Sequence, residues 1–419
     1  MDDIRIIKIY EDRQAQVKLT EQEQNDILAM KSIIGGNNII LQADGKLLVS
    51  HYVGFVQINK TRLLIYPKIS KYGSSEETFN KSFNILMKLL FYSEFINVKR
   101  IPTPQFTDKL KGDLLELFIS IFIDELLNLF KRDVNRNYNQ ILENKTFIKG
   151  KIDFSETIKK NSYRRHKHYI KYDEFTENIL LNQIFKAVIH NLIKRTIIKE
   201  NKFKLRQGLL WLEDVEKITL NKVIWDKIQF TRLNNQYRTV FNMAKLFYFN
   251  SSPNLNKGDE LTFSFLVPVN QLFEKYLYKV LINNSPKSID IKYQGPIKYL
   301  AKRNGTNYMQ MRPDITILKN GEILYILDAK YKEVEDVEDN LLISQTDIYQ
   351  MLAYSIKYNC NKIALLYPKF LEDENTDFIV SELEIENNED IISIKILKVD
   401  LEESVSDSYN SFHKELSIL

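Results

Sequence analysis

One segment constrains the chain more than any other: Ile323-Leu324-Tyr325-Ile326-Leu327-Asp328-Ala329-Lys330. Five apolar residues read as a buried strand, and the strand ends on a carboxylate and an ammonium. Asp328 and Lys330 stand two apart, so on extended backbone their side chains leave the same face. Burying two charges there is costly unless both find partners. Packing alone does not account for such a strand end.

A second acid lies upstream, in Met311-Arg312-Pro313-Asp314, where Asp314 opens a strand. Two carboxylates at neighbouring strand ends offer hard oxygen ligands and suit Mg²⁺. Such an ion holds a phosphate oxygen, lowers the pKa of bound water and stabilises charge developing on phosphorus. Lys330 is placed to orient that water or to neutralise the transition state. The single cysteine, Cys360, excludes a disulfide framework and a thiolate zinc site, and it fits a reducing cytoplasm. Carboxylates are left as the metal ligands. The 12 glycines include no G-x-x-x-x-G-K-[ST] pattern: Gly45-Lys46 and Gly150-Lys151 are followed by Leu and Ile. The chain therefore lacks a P-loop, and any nucleotide-driven motor is another protein.

The surrounding pattern divides the chain in three. Residues 1–75 read as a β-rich N-terminal domain. In it, Val53–Ile58 and Leu63–Tyr66 form a hairpin, and a helix near Thr20–Ile33 opens on the capping-box sequence Thr20-Glu21-Gln22-Glu23. Residues 76–257 read as a mainly helical, basic middle region. It holds the greasy Leu114–Phe130, a core helix by its composition, and a helix over Asn178–Ile197. The polar run at Ser251–Asn254 and Lys257–Asp259 marks the boundary. Residues 258–419 alternate helix and strand in the order α-β-β-β-α-β, an α/β domain. The fold class expected is thus α+β multidomain. No run reaches the length of a membrane span, and no leader segment is visible at the N-terminus.

Charge follows the same division. The whole chain has 59 basic and 55 acidic residues. Residues 261–419 hold 17 basic and 25 acidic, a net of −8, which leaves +12 for the remainder. The excess lies mostly in Lys131–Asn250, with 25 basic against 12 acidic residues. Within it, Tyr163-Arg164-Arg165-His166-Lys167-His168-Tyr169 mixes cations and rings, as phosphate contact and base stacking require, although a solvated loop has the same composition.

The spacing P-D-x13-D-x-K resembles the PD-(D/E)XK nuclease superfamily. Glu274, on the helix before the strands, matches the position of an additional metal-binding acid. Gln350 and Tyr354, at i and i+4 on one helical face, resemble the Q-x-x-x-Y element of the RecB-like branch. Over most of its length the chain is similar to McrC-like subunits of McrBC-type modification-dependent (5-methylcytosine) restriction systems. The likeness runs through Gly54-Phe55, Ile65-Tyr66-Pro67-Lys68-Ile69, Lys149-Gly150-Lys151-Ile152, Tyr172–Asn178, Phe230-Thr231-Arg232-Leu233-Asn234, Asn270–Glu274, Asp328–Lys332 and Asp347–Met351.

That resemblance implies a cytoplasmic, Mg²⁺-dependent DNA endonuclease subunit. It implies a partner too, an McrB-like AAA+ GTPase hexamer that binds the GTP, moves double-stranded, methylated DNA and is stimulated by the N-terminal portion of this chain. Asp314, Asp328 and Lys330 carry over as catalytic residues, with Glu274 and Gln350 at less exclusive positions. Asp314, Asp328 and Glu274 carry over as metal ligands. Two other readings compete. One is a nuclease-like adaptor that only regulates an NTPase partner. The other is a stand-alone RecB-like DNA repair nuclease.

Overall fold

The computed structural model describes residues 4–70, 75–94, 112–249, 251–253, 261–334, 336–337, 340–341, 343–373, 378–387 and 390–416. The chain divides into two compact units, one of residues 1–112 and 264–419, the other of residues 113–263. The N-terminal and C-terminal segments, read apart in the sequence, therefore share a unit.

The N-terminal part holds β1 (Arg5–Tyr10), β2 (Ala15–Gln16), α1 (Glu21–Ile34), β3 (Ile39–Leu41), β4 (Lys46–Val49), β5 (Tyr52–Ile58), β6 (Thr61–Tyr66) and α2 (Glu76–Tyr92). Thr20 caps α1 as its sequence foretells: the Glu23 N–H donates to Thr20 Oγ1, and the Thr20 N–H donates back to Glu23 Oε2 at 2.8 Å. Ile27, Met30 and Ile34 of α1 then pack on Ile7, Ile9, Val56, Ile58, Leu63 and Ile65 of the β1-β6-β5 sheet. The β5–β6 hairpin turns at Asn59-Lys60, with Asn59 at φ +49°. Buried Asp26 pins that turn by accepting from Asn59 Nδ2 at 2.7 Å and Thr61 Oγ1 at 2.8 Å. Gly54 is obligatory: at φ +131°, a Cβ there would lie 1.9 Å from the Phe265 carbonyl oxygen.

The second unit is built on α3 (Leu114–Phe130), capped by Asp113. It continues through β7 (Asn137–Lys145), β8 (Lys151–Ile152), α4 (Phe154–Asn161), β9 (His168–Thr176), α5 (Leu180–Ile193), α6 (Lys199–Trp211), α7 (Arg238–Phe249) and β10 (Ser251–Pro253), which pairs with the start of β11 (Leu261–Pro268). α3 is buried on nearly every face, packed by α6 and α7. Its one fully buried acid, Glu116, accepts from Thr196 Oγ1 at 2.6 Å, the Ile197 N–H at 2.8 Å and Asn201 Nδ2 at 2.8 Å. Those donors replace its lost hydration.

Helices dominate the described residues of 76–257, and among them β7, β9 and β8 form an antiparallel sheet that the sequence expectation did not include. Their outward face exposes Tyr138, Leu142 and Phe175. With apolar groups on the exposed side and Asn, Ile and Glu inside, the alternation that marks a half-buried strand is scrambled. Of the sequence boundary at Ser251–Asp259, only residues 251–253 lie among the described residues.

The C-terminal part comprises α8 (Val269–Asn284), β12 (Ile289–Tyr293), β13 (Lys298–Arg303), β14 (Thr306–Met311), β15 (Ile315–Lys319), β16 (Glu322–Ala329), the short pair β17 (Asp336–Val337) and β18 (Asn340–Leu341), α9 (Gln345–Tyr358), β19 (Lys362–Pro368), β20 (Ile379–Asn387), β21 (Asp390–Val399) and α10 (Val405–Leu416). Six strands form one sheet in the order β12-β15-β16-β19-β21-β20. β16, β19 and β21 run parallel, and α9 makes the β16-to-β19 crossover. α8 packs against β12 and β16. α9 covers the other face, where its Met351, Tyr354 and Tyr358 meet Ile326, Ile363, Leu365 and Ile394. No described helix is long and apolar enough to cross a membrane.

Candidate active site at the strand ends

Alternation along β16 sets the geometry. Ile326 faces α9. Asp328 and Lys330, two and four residues on, face the same way. Asp328 is 1% exposed. Lys330 Nζ lies 2.5 Å from Asp328 Oδ2 in an ion pair. Lys330 also donates to Gln350 Oε1 on α9 at 2.9 Å. Gln350 Nε2 contacts Tyr354 OH at 3.0 Å, and Tyr354 OH donates to the Arg312 carbonyl at 3.2 Å. The i, i+4 pair on α9 thus connects the lysine of one strand to the segment that leads into Asp314.

Asp314 sits just before β15, the neighbour of β16, and accepts from the Ala329 N–H at 2.8 Å. Burial, then the charges of Asp328 and Glu274, push its carboxyl up to about 8. Asp328 is raised as well, by burial first, with Lys330 opposing. Lys330 is pulled down by burial but lifted further by Asp328, and ends above its ordinary range. Glu274 on α8 is buried and accepts from Gln294 Nε2 at 2.7 Å; burial raises it too. A carboxylate cluster that resists its own ionisation is one where an added cation gains most.

Asp314, Asp328, Lys330 and Gln350 are brought together by these contacts. Glu274 is near enough to feel Asp328 and Asp314, yet among the described residues no three His, Cys, Asp or Glu side chains gather into a metal cluster. Mg²⁺ commonly uses only one or two carboxylates, with water and substrate phosphate completing its shell. Two hard carboxylates, one of them deeply buried against an ammonium, fit that ion.

The sequence reading missed Asp347. It accepts from Lys332 Nζ at 2.5 Å and lies 3.8 Å from Lys330 Nζ. Its position in the first turn of α9 made it look like an ordinary helix-dipole acid. The acidic connection Glu333–Asp339 lies partly outside the described residues; within it, Glu333 pairs with Lys68 at 3.7 Å and Val334 is buried.

The family model described as "McrBC 5-methylcytosine restriction system component" matches residues 47–368. The chain belongs to this McrBC family. It is 26% identical over 229 residues to the type IV methyl-directed restriction enzyme EcoKMcrBC of Escherichia coli K12. That match spans 52% of this chain and 65% of the relative. Among solved structures it resembles a chain of the refined half-complex of Thermococcus gammatolerans McrB AAA+ hexamers with bound McrC. The TM-score is 0.77 at 21% identity, covering 99% of each chain. The cryo-EM structure of the Thermococcus gammatolerans McrBC complex matches at a TM-score of 0.51 and 22% identity, over 67% of this chain and 88% of that one. At these identities the likeness is one of fold.

Proposed function

We propose that this McrBC-family chain is the endonuclease subunit of a modification-dependent restriction complex, with its PD-(D/E)XK-type centre at Asp314, Asp328 and Lys330. The observation that carries the reading is the convergence of these residues with Gln350 at the ends of two adjacent strands. Asp314 and Asp328 would hold Mg²⁺, with Glu274 behind them. When bound, the ion supplies Lewis acidity toward a phosphate oxygen and a more acidic water. The chain's own residues do the rest. Lys330 presents its ammonium toward charge growing on the phosphate, which then has less reason to stay with Asp328. Gln350 fixes the direction of that ammonium, and Tyr354 fixes Gln350.

An AAA+ McrB-like hexamer as partner, binding and hydrolysing GTP, is part of the proposal. Its support is the McrB hexamer in the matched assembly and the missing P-loop of this chain. The substrate is double-stranded DNA carrying 5-methylcytosine. The test is cleavage of methylated against unmethylated plasmid by the chain with its partner, Mg²⁺ and GTP. The reading requires product only from methylated DNA and only with the partner. Equal cleavage of both plasmids without partner or GTP would establish a stand-alone nuclease instead.

A further inference from the structure

The β13–β14 hairpin takes no part in the six-stranded sheet. Every residue from Tyr299 to Gln310 is exposed, including Leu300, Tyr308 and Met309. Core packing therefore does not explain this hairpin. Its base is nonetheless firmly held. Tyr358 OH lies 2.6 Å from the Pro296 carbonyl and 2.9 Å from that of Met311, while Lys298 Nζ donates to the Lys357 carbonyl at 3.2 Å.

Its charge is one-sided. Residues 291–313 contain Lys292, Lys298, Lys302, Arg303 and Arg312 and no acid, within a C-terminal segment that is otherwise net negative. Lys298, Lys302 and Lys357 line an open concavity of about 370 Å³ that has no carboxylate in its wall. Among the described residues, Lys302 and Arg303 form no ion pair. Ammonium groups gathered without a counter-charge repel one another, and a bound anion relieves them. The hairpin ends at Met311, three residues before Asp314, so its base is within roughly 10 Å of that carboxylate. Six residues per strand make an arm of about 20 Å, which spans about six base pairs at 3.4 Å each.

We propose that the β13–β14 hairpin is a phosphate-binding arm. Lys298, Lys302 and Lys357 hold the backbone of duplex DNA beside Asp314 and Asp328. The inference rests on the nuclease reading and names the surface by which that site acquires its substrate. Tyr299 and Tyr308, on one face by register, lie along the same arm.

Fluorescence anisotropy of a labelled duplex titrated with the full chain in EDTA tests it, across a salt series. The variant is Lys302→Gln/Lys357→Gln. Loss of two phosphate contacts should lower affinity about 10-fold or more at 0.1 M salt and reduce the log–log salt slope by about 1.8. Lys302→Arg/Lys357→Arg should bind as the parent does. Unchanged affinity and slope in the Gln variant would overturn the arm. So would a loss of self-association without loss of DNA affinity, which would make the occupant a second copy of the chain. Cleavage by Asp328→Asn, measured separately with Mg²⁺, reports on the nuclease reading alone. Normal cutting there, with the binding defect present, would sink the nuclease and leave the arm standing.

Discussion

Gln350→Leu isolates the orientation of Lys330 from its charge. In the wild type, Lys330 Nζ meets Gln350 Oε1 at 2.9 Å and Asp328 Oδ2 at 2.5 Å. The variant keeps the second contact and loses the first. A hydrogen bond to a charged group contributes about 1.5–3 kcal/mol. If that whole amount acts in the transition state, single-turnover cleavage slows by roughly 10- to 150-fold, at about 1.4 kcal/mol per decade. Tyr354→Phe acts one step further out. It removes the Gln350 partner and the donor to the Arg312 carbonyl, so a loss of roughly 1 kcal/mol, about 5-fold, is expected. The assay is product formation from a linear methylated duplex by the assembled complex, with thermal melting of each variant alongside. Gln350→Leu cutting within a factor of two of wild type, with the fold intact, would refute the view that α9 sets the lysine.

The scaffold gives further predictions. Gly54→Ala should destabilise the chain by on the order of 4 kcal/mol, because the new methyl overlaps the Phe265 carbonyl at a positive φ; a chemical denaturation midpoint near that of wild type would contradict it. Burial lowers Lys88 from 10.5 to about 8. The native state then binds fewer protons than the unfolded chain between those values, so stability rises with pH from about 8 to 10.5 by up to about 3 kcal/mol. Below pH 8 the burial cost is fully present. Lys88→Met should flatten that rise in a pH series of urea melts, and an unchanged slope would show that Lys88 is not its source.

How much of this was legible in the sequence depended on whether a residue's role left a periodic or spacing signal. Asp314, Asp328 and Lys330 were legible because a charge at the end of an apolar strand breaks a pattern that packing would keep. Gln350 and Tyr354 were legible by helical spacing, and their hydrogen bond follows from it. The capping box of α1 and the all-round apolar α3 are local signals and reappear in the structure. β13 and β14 were not legible, because a hairpin exposed on both faces has no burial alternation to display. The β7–β9 pair was hidden for a related reason, with rings on its open face. β20 was not legible either. It is an edge strand whose Glu382, Glu384 and Glu386 alternate with Leu383 and Ile385, so its acidity masked the period. Asp347 was missed because an acid in the first helical turn already has a sufficient explanation.

If Asp314 and Asp328 form a phosphodiester-cleaving centre, each is required for DNA to be cut. The most direct measurement is single-turnover cleavage of methylated duplex DNA by the partner-assembled complex across a Mg²⁺ titration, for wild type, Asp314→Asn and Asp328→Asn. Size-exclusion chromatography would confirm that each variant still assembles. Wild type should give Mg²⁺-dependent product and neither variant any product at any Mg²⁺ concentration, with assembly intact. Cleavage by Asp328→Asn at the wild-type rate, in the same complex, would contradict it.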